Sequence, residues 1–154
     1  MQLQRQRWTE IRGSRLTHPT FLLDRRLDAD AFFVRRLALC RMLLLNDRRW
    51  PWLLLVPERP GIVEIFDLSD EDRATLMAET NATARMLARE FAPQKINFGS
   101  LGNIVEQFHM HVIARNGRDP AWPGAPFGHP GREPYEPEQA DAMIARLAAA
   151  ELAW

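Results

Sequence analysis

Two histidines and a glutamine alternate with apolar residues late in the chain. Gln107, His109 and His111 are each separated by one apolar residue. Because successive side chains of a β-strand point to opposite faces, this spacing predicts that the three polar side chains share one face of a strand. The segment 99–103 just before it contains two glycines, which indicates a tight turn. The pattern therefore predicts a site built on one strand face and the adjoining turn.

Four interpretations of this face are open from the residues alone. The first is a solvated edge strand without function, since half-buried antiparallel strands commonly alternate in this way. The second is a zinc site, although the other histidines, His18 and His129, lie in segments of irregular pattern and no Cys-x-x-Cys or His-Glu-x-x-His motif is present. The third is general acid–base catalysis by His109 or His111. The fourth is nucleophilic attack on phosphorus by a neutral imidazole, whose ordinary pKa is ~6.5.

The composition narrows the class of partner. The 154 residues carry a formal net charge of zero, so there is no overall field to attract nucleic acid or an anionic membrane. The single cysteine, Cys40, excludes an internal disulfide. No apolar run is long enough to span a bilayer, and residues 1–15 lack the apolar core of a signal peptide. We expect a soluble, cytoplasmic protein without a membrane, nucleic-acid or metal partner.

Five short segments predict the strands of a sheet that positions this face. Leu37–Leu45 and Trp52–Val56 are apolar on both faces and flank the turn-forming cluster Asn46–Arg49, which predicts a central antiparallel hairpin. Lys95–Phe98 and the histidine strand predict a second hairpin across the glycine turn. Phe21–Leu23 is interpreted as a short edge strand.

A long helix is predicted between the two hairpins. Ser69 is a favoured capping residue, and the acidic run Asp70–Asp72 complements the positive end of a helix. Apolar residues from Leu76 to Phe91 recur at helical spacing, and Pro93 ends the pattern. We expect about six turns packed on the sheet, with the methionines in the core.

The last part of the chain changes character. Residues 117–136 are rich in proline and glycine, which predicts an irregular loop held in place by Trp122 and Phe127. Pro137 opens a C-terminal helix predicted to extend to residue 152. We expect one domain over residues 1–154, with its core at about residues 20–116.

The segment Gln107–Ile113 resembles the signature of the histidine triad (HIT) family, in which three histidines alternate with apolar residues. The resemblance extends over residues 38–116. Leu55–Pro60 is similar to the family's strand that ends in Val-Pro or Ile-Pro, and Asp67–Asp72 is similar to the start of its long helix. Asn97–Gly99 resembles the lead into the triad strand. The resemblance implies an α+β fold, with an antiparallel sheet of about five strands, one long helix and usually a homodimer.

The resemblance also implies a nucleotide substrate and chemistry at the α-phosphate. Typical substrates are dinucleoside polyphosphates, as in diadenosine polyphosphate hydrolases, and nucleoside phosphoramidates. His109 matches the nucleophilic middle histidine, which forms a nucleotidyl-histidine that water hydrolyses. His111 matches the third histidine, which is expected to bind phosphate oxygens. No cofactor is implied, although a divalent cation can accompany a polyphosphate substrate.

Five further residues are placed at the nucleotide by the same resemblance. Asn46 matches a position that contacts the ribose, with Asp47 as a second candidate. Asn97 matches a polar residue near phosphate and sugar. Gly102 and Asn103 belong to the turn whose backbone amides are expected to hold phosphate oxygens.

The first triad position departs from the family pattern because Gln107 replaces a histidine. Gln107 is expected to help His111 hold the phosphate oxygens, because a carboxamide forms hydrogen bonds, but it cannot donate a proton as an acid. A related branch, the uridylyltransferases, places glutamine at the third position, so the substitution does not exclude chemistry. Ile104 stands where many members carry a serine or threonine that assists the leaving group. The alternative prediction is a nucleotide-binding module without catalytic activity.

Overall fold

The computed structural model describes residues 20–154. The sequence predictions for residues 1–15 and for His18 therefore lie outside the described residues. The elements are, in order, α1 (Arg25–Asp30), β1 (Ala31–Arg36), β2 (Cys40–Leu45), β3 (Trp52–Pro57), α2 (Asp70–Phe91), β4 (Lys95–Gly99), β5 (Met110–Arg115) and α3 (Pro137–Ala149).

The strands form one five-stranded antiparallel sheet in the order β1-β2-β3-β5-β4. This confirms the predicted α+β class, with one long helix and a C-terminal helix. All six residues of β3 are buried, as expected for the central strand. In the register, Leu54 of β3 pairs with Leu43 of β2 on one side and with His111 of β5 on the other. The histidine strand is thus a direct neighbour of the central strand.

The two faces of the sheet are covered differently. On one face, Leu44, Leu53 and Val112 pack in one core cluster with residues from both α2 and α3, including Leu76 and Leu147. The opposite face carries a second cluster, in which no residue of α2 or α3 takes part. Its sheet residues are covered by side chains from the start of the described chain and from the proline-rich loop, namely Phe21, Leu23, Leu27, Ala121 and Phe127. The histidine face is therefore closed by irregular segments and the short helix α1, and not by α2 or α3.

Helix α2 has the predicted cap and length. Ser69 Oγ accepts a hydrogen bond from the Asp72 backbone at 3.1 Å, and the 22-residue helix ends at Phe91. The expectation for its methionines is half wrong, because Met86 is buried whereas Met77 is 44% exposed. The buried stripe instead includes Glu79, whose carboxylate accepts the backbone N–H groups of the residues that open β2. This polar residue supplies the partners that those two buried amides need.

Two strand predictions are wrong in detail. Phe21–Leu23 is not an edge strand but an irregular segment packed on the sheet face, and the edge strand is β1. Strand β2 begins at Cys40, because the Leu37 amide donates a hydrogen bond back to the Cys40 carbonyl at 2.8 Å and keeps residues 37–39 out of the ladder.

The C-terminal helix ends at Ala149, earlier than predicted. Within residues 20–154, no helix is both long and apolar enough to cross a membrane.

Candidate active site

The two histidines lie where β5 begins. The strand starts at Met110, so Gln107 and His109 precede it, contrary to the prediction that all three polar residues lie within a strand. The chain leaves the ladder there because the Phe108 amide bonds to the Ile62 carbonyl at 2.9 Å. The alternation of faces still holds, since Phe108 and Met110 pack in the helix-covered core. His109 and His111 are 5% and 7% exposed, with ring centroids 4.7 Å apart.

His109 is held by a backbone carbonyl. Its Nδ1 lies 2.7 Å from the Gln107 carbonyl oxygen. Because a carbonyl oxygen can only accept, Nδ1 carries the proton and Nε2 keeps its lone pair. Burial lowers the pKa of His109, while the Gln107 carbonyl and the negative charge of Asp24 act in the opposite direction. The ring is thus a neutral imidazole with a free lone pair, which suits a nucleophile or a general base.

His111 is held by an indole. The Nε1–H of Trp52 donates to His111 Nδ1 at 2.9 Å. Burial, assisted by the neighbouring His109, lowers the pKa of His111 to about 3. Its Nε2 is buried and has no hydrogen-bond partner in the part of the chain that the structure describes.

The Gln107 side chain is occupied by backbone groups. Its Oε1 accepts a hydrogen bond from the Asp24 amide at 2.8 Å, and its Nε2 donates to the Leu22 carbonyl at 2.8 Å. We call residues 20–24 the N-terminal segment. Gln107 was predicted to assist at the phosphate, but here its donor and its acceptor both bind this segment. The carboxamide is not free to contact a ligand while the segment is in place.

The N-terminal segment continues into helix α1, which contacts the glycine turn. Asp24 Oδ1 caps the helix by accepting the Arg26 amide at 2.8 Å. The Arg26 guanidinium donates to the Ile104 carbonyl at 2.9 Å. Ile104 itself is 79% exposed. Gln107 and Ile104 therefore hold this segment and α1 beside the histidine pair.

The glycine turn contacts the site through the side chain of Ser100. Ser100 Oγ donates to the His109 carbonyl at 3.0 Å. At Gly102 a Cβ would lie 2.9 Å from the Val105 carbonyl oxygen, so a larger residue would displace the backbone. Asn103 is exposed. A cavity of about 590 Å³ lies between this turn and residues 63–65, on the side of Phe108 and Met110 instead of the histidine side.

The proline-rich loop covers His111 from the other side. Phe127 packs edge-on against His111, with ring centroids 4.9 Å apart, and against Trp52 at 5.5 Å. The expectation that Phe127 anchors an ordered loop is met by these contacts. Trp122, in contrast, is 39% exposed and lies over the guanidinium of Arg115.

Arg115, the last residue of β5, fixes this loop. It donates from Nε and Nη2 to the Asp119 carboxylate at 2.8 and 3.0 Å, and from Nη2 to the Gly124 carbonyl at 2.8 Å. Its Nη1 donates to Asn97 Oδ1 at 2.7 Å. Burial raises the pKa of Asp119, but the hydrogen bonds from Arg115 outweigh it and lower that pKa to about 2. Asn97 was predicted to bind the nucleotide, but its Oδ1 atom supports the loop through Arg115.

Asn46 and Asp47 lie at the turn between β2 and β3, away from the histidines. The Asn46 Oδ1 accepts the Tyr135 amide at 2.9 Å. Asp47 forms a two-pronged ion pair with Arg49 at 2.6 and 2.8 Å. The structure brings neither side chain into contact with His109 or His111, and both face the proline-rich loop.

The sequence pattern missed Trp52, Arg115 and Asp24 as parts of the site. Trp52 sits in an apolar run and was interpreted as core, while Arg115 and Asp24 carry no local signal. Only the long-range pairing of strands and segments brings Trp52 and Asp24 to the histidines, and Arg115 acts on the loop that covers them. Among residues 20–154, no group of three or more histidine, cysteine or acidic residues converges as metal ligands would.

The comparisons with known proteins agree with this geometry. A family model described as the HIT domain matches residues 26–118. A histidine triad protein from Sinorhizobium meliloti 1021 is 49% identical, with a TM-score of 0.81 over 83% of this chain and 95% of that chain. One from Marinobacter aquaeolei VT8 is 40% identical, with a TM-score of 0.81 over 84% and 94%. One from Bradyrhizobium japonicum is 37% identical, with a TM-score of 0.81 over 84% and 96%. No curated protein matches the chain.

Proposed function

This chain belongs to the HIT domain family, and we propose that it binds a nucleotide and cleaves or transfers it at the α-phosphate through a nucleotidyl-histidine on His109. The hydrogen bond from His109 Nδ1 to the Gln107 carbonyl carries this proposal, since it leaves the Nε2 lone pair available for attack. Family membership supports the nucleotide as substrate class, and the buried neutral imidazole supports the chemistry.

The proposed reaction has two displacements. In the first, the Nε2 lone pair attacks the α-phosphorus, the bond to the leaving group breaks, and its electron pair departs with that group. The ring becomes cationic, and the hydrogen bond from Nδ1 to the Gln107 carbonyl stabilises that charge. In the second, water attacks phosphorus and loses a proton to solvent, while the bond between phosphorus and Nε2 breaks. The electron pair of that bond returns to Nε2 and restores the neutral ring. Hydrogen-bond donors beside His109 stabilise the phosphoryl group while it is transferred, as expected where catalysis relies on positioning and electrostatics.

The leaving group distinguishes two substrate classes. An amine leaving from a phosphoramidate needs a proton, whereas a phosphate leaving from a polyphosphate departs as an anion. Gln107 cannot supply a proton, and its carboxamide is bound to the N-terminal segment. We therefore favour dinucleoside polyphosphates or other nucleotide conjugates with a phosphate leaving group.

A second candidate is a nucleotide-binding module without turnover. The observation in its favour is closure of the site: His109 and His111 are 5% and 7% exposed, between the N-terminal segment and Phe127. This closure suits a site that binds a nucleotide without completing a chemical step.

Adduct trapping separates the two candidates. The purified protein is incubated with diadenosine polyphosphates and adenosine phosphoramidate, denatured at alkaline pH to preserve a phosphorus–nitrogen bond, and digested for mass spectrometry. We expect a nucleotidyl adduct on the peptide containing His109, absent in His109→Ala and retained in the control His129→Ala. Nucleotide binding without any adduct, unchanged by His109→Ala, would favour the module.

We also propose a homodimer that uses the free edge of β4. This strand lies at one edge of the sheet, and Phe98 within it is 57% exposed. An exposed edge strand with a large apolar side chain is a suitable surface for pairing with a second copy. The usual dimeric state of the family supports the same assignment.

A further inference from the structure

We infer that Trp52 is a positioning residue that fixes His111 as its Nε2–H tautomer, so that the site presents a buried neutral donor beside the nucleophile. Nothing in the triad pattern identifies this residue, which belongs to the apolar run of β3. The tautomer is a property of the free protein. Only the identity of the acceptor, a phosphoryl oxygen, rests on the proposed function.

The hydrogen bond between the two rings determines the proton position. An indole nitrogen is a donor and never an acceptor, so the 2.9 Å contact requires a lone pair on His111 Nδ1. A neutral imidazole with a lone pair on Nδ1 carries its proton on Nε2. The rings meet edge to face at 5.6 Å and 66°, which leaves the nitrogen–nitrogen contact as the polar interaction between them.

The position of Trp52 follows from the sheet register. Trp52 pairs with Ile113 and Leu54 pairs with His111, so Trp52 is a diagonal neighbour of His111 on the same sheet face. Trp52 is 5% exposed and packs between His111 and Trp50. A bulky side chain held in the core has little freedom to change its donor direction. The tautomer is thus imposed by the scaffold.

The other nitrogen of His111 lacks a partner. Nε2 is buried without a hydrogen bond to any described residue. A buried polar group without a partner is uncommon in folded proteins and calls for a functional explanation. His109, 4.7 Å away, has the opposite arrangement, with its proton on Nδ1 and its lone pair on Nε2. The pair therefore offers one nucleophile and one donor, and Trp52 prevents them from exchanging roles.

Trp52 also opposes protonation of His111. A second proton would go on Nδ1, which faces the Trp52 N–H. The titratable neighbour of His111 is His109, and Asp24 acts on His109. The Leu101 backbone acts on the pKa of His111 in the opposite direction, and the ring contacts with Trp52 and Phe127 are aromatic and uncharged. Burial and His109 lower the pKa of His111 to about 3, so the donor stays neutral across the working pH range.

Nuclear magnetic resonance of the full chain tests the inference. With ¹⁵N-labelled histidine and tryptophan, we expect His111 to show the Nε2–H pattern and a ¹⁵N–¹⁵N coupling between Trp52 Nε1 and His111 Nδ1. In Trp52→Phe, which keeps an aromatic ring but removes the donor, we expect mixed tautomers. We also expect the acid dissociation constant of protonated His111 to fall about tenfold, so that the ring is protonated at a higher pH. Trp50→Phe is the matched control, since the Trp50 nitrogen bonds neither histidine. It should leave the tautomer and the titration of His111 unchanged.

The outcomes are distinct. An Nδ1–H pattern in the native protein, or a Trp52→Phe spectrum with unchanged tautomer and titration of His111, would overturn the assignment. If Trp52→Phe does not fold, the native coupling decides, its presence supporting the assignment and its absence overturning it. Addition of AMP should shift the His111 Nε2–H signal. No response to AMP, with the native coupling intact, would count against the proposed function and still support the role of Trp52.

Discussion

The Gln107 carboxamide holds the backbone of the N-terminal segment: the Asp24 amide donates to Oε1 at 2.8 Å, and Nε2 donates to the Leu22 carbonyl at 2.8 Å. A carboxamide offers an acceptor and a donor side by side, as a peptide group does. Gln107 therefore pairs with the segment as a neighbouring strand would. A neutral histidine at this position would keep at most one of the two bonds in the same geometry. Gln107, at the first triad position, therefore acts as a tether for the N-terminal segment.

Gln107→Ala should release the N-terminal segment. Each lost hydrogen bond contributes about 0.5–1.5 kcal/mol, so the amide of Asp24 should exchange with deuterium roughly ten-fold faster or more. Hydrogen-exchange mass spectrometry of the peptide containing residues 20–24 measures this. Glu106→Ala, at an exposed neighbouring position, is the control. Equal protection in Gln107→Ala and the native protein would contradict the tether.

Because Gln107 cannot donate a proton, the protein should prefer substrates whose leaving group needs none. We expect the native protein to have a higher kcat/KM for a diadenosine polyphosphate than for adenosine phosphoramidate. Gln107→His supplies a titratable group, and general acid catalysis is worth roughly 10²–10⁴-fold, so the variant should narrow this ratio by at least about ten-fold. A ratio that does not respond to Gln107→His would show that protonation at this position does not limit the reaction.

The buried histidines should make stability depend on pH. The folded pKa of His111 is lowered to about 3, below the ordinary value of 6.5, so the unfolded chain binds more protons in the interval between them. Stability is therefore complete above pH ~6.5 and falls as the pH drops, by about 2 kcal/mol for His111 between pH 7 and pH 5. Urea unfolding at the two pH values measures the loss. His111→Gln should reduce it, and His129→Gln should not.

The ion pair between Arg115 and Asp119 should be essential for the loop. Both side chains are 1% exposed, and breaking a buried pair typically costs about 3–5 kcal/mol. We expect Asp119→Ala to destabilise the protein by this amount in urea unfolding and to raise the mobility of Phe127. The exposed pair of Arg48 and Glu133 provides the control, since Glu133→Ala should cost less than about 1 kcal/mol. Similar losses in both variants would contradict the role of the buried pair.

The edge of β4 should mediate dimerisation. Phe98→Lys places a charge in the proposed contact and should convert a dimer into a monomer, with its fold retained by circular dichroism. Light scattering coupled to size exclusion measures the mass. Phe66→Lys, at another exposed aromatic position outside the sheet, is the control. A native monomer, or a Phe98→Lys dimer of native affinity, would remove the proposal.

Local patterns were sufficient to predict the central hairpin and the long helix. The apolar runs around Asn46–Arg49 form the central hairpin, and the cap at Ser69 begins the long helix. Alternation also predicted the shared face of His109 and His111, because the period of a strand is visible in neighbouring residues. These features depend on interactions between residues close in the chain.

The covering of the site could not be predicted in the same way. The bond between Gln107 and Asp24 spans 83 residues, and that between Trp52 and His111 spans 59. Neither leaves a periodic trace in the sequence. Glu79 was likewise invisible, because a carboxylate on the buried stripe of α2 is explained only by the two amides it meets at β2. Such pairs are established by tertiary packing.

The neutrality of both imidazoles has a consequence for binding in salt. In the proposed complex, His109 and His111 would meet a phosphate through a lone pair and an oriented N–H dipole, with no full positive charge on either ring. Attraction between full charges weakens as ionic strength rises, whereas buried dipoles are screened far less. The affinity of this pair for a mononucleotide should therefore change little between low and physiological salt. Phosphate recognition by this pair would depend on which ring nitrogen of each histidine carries the proton.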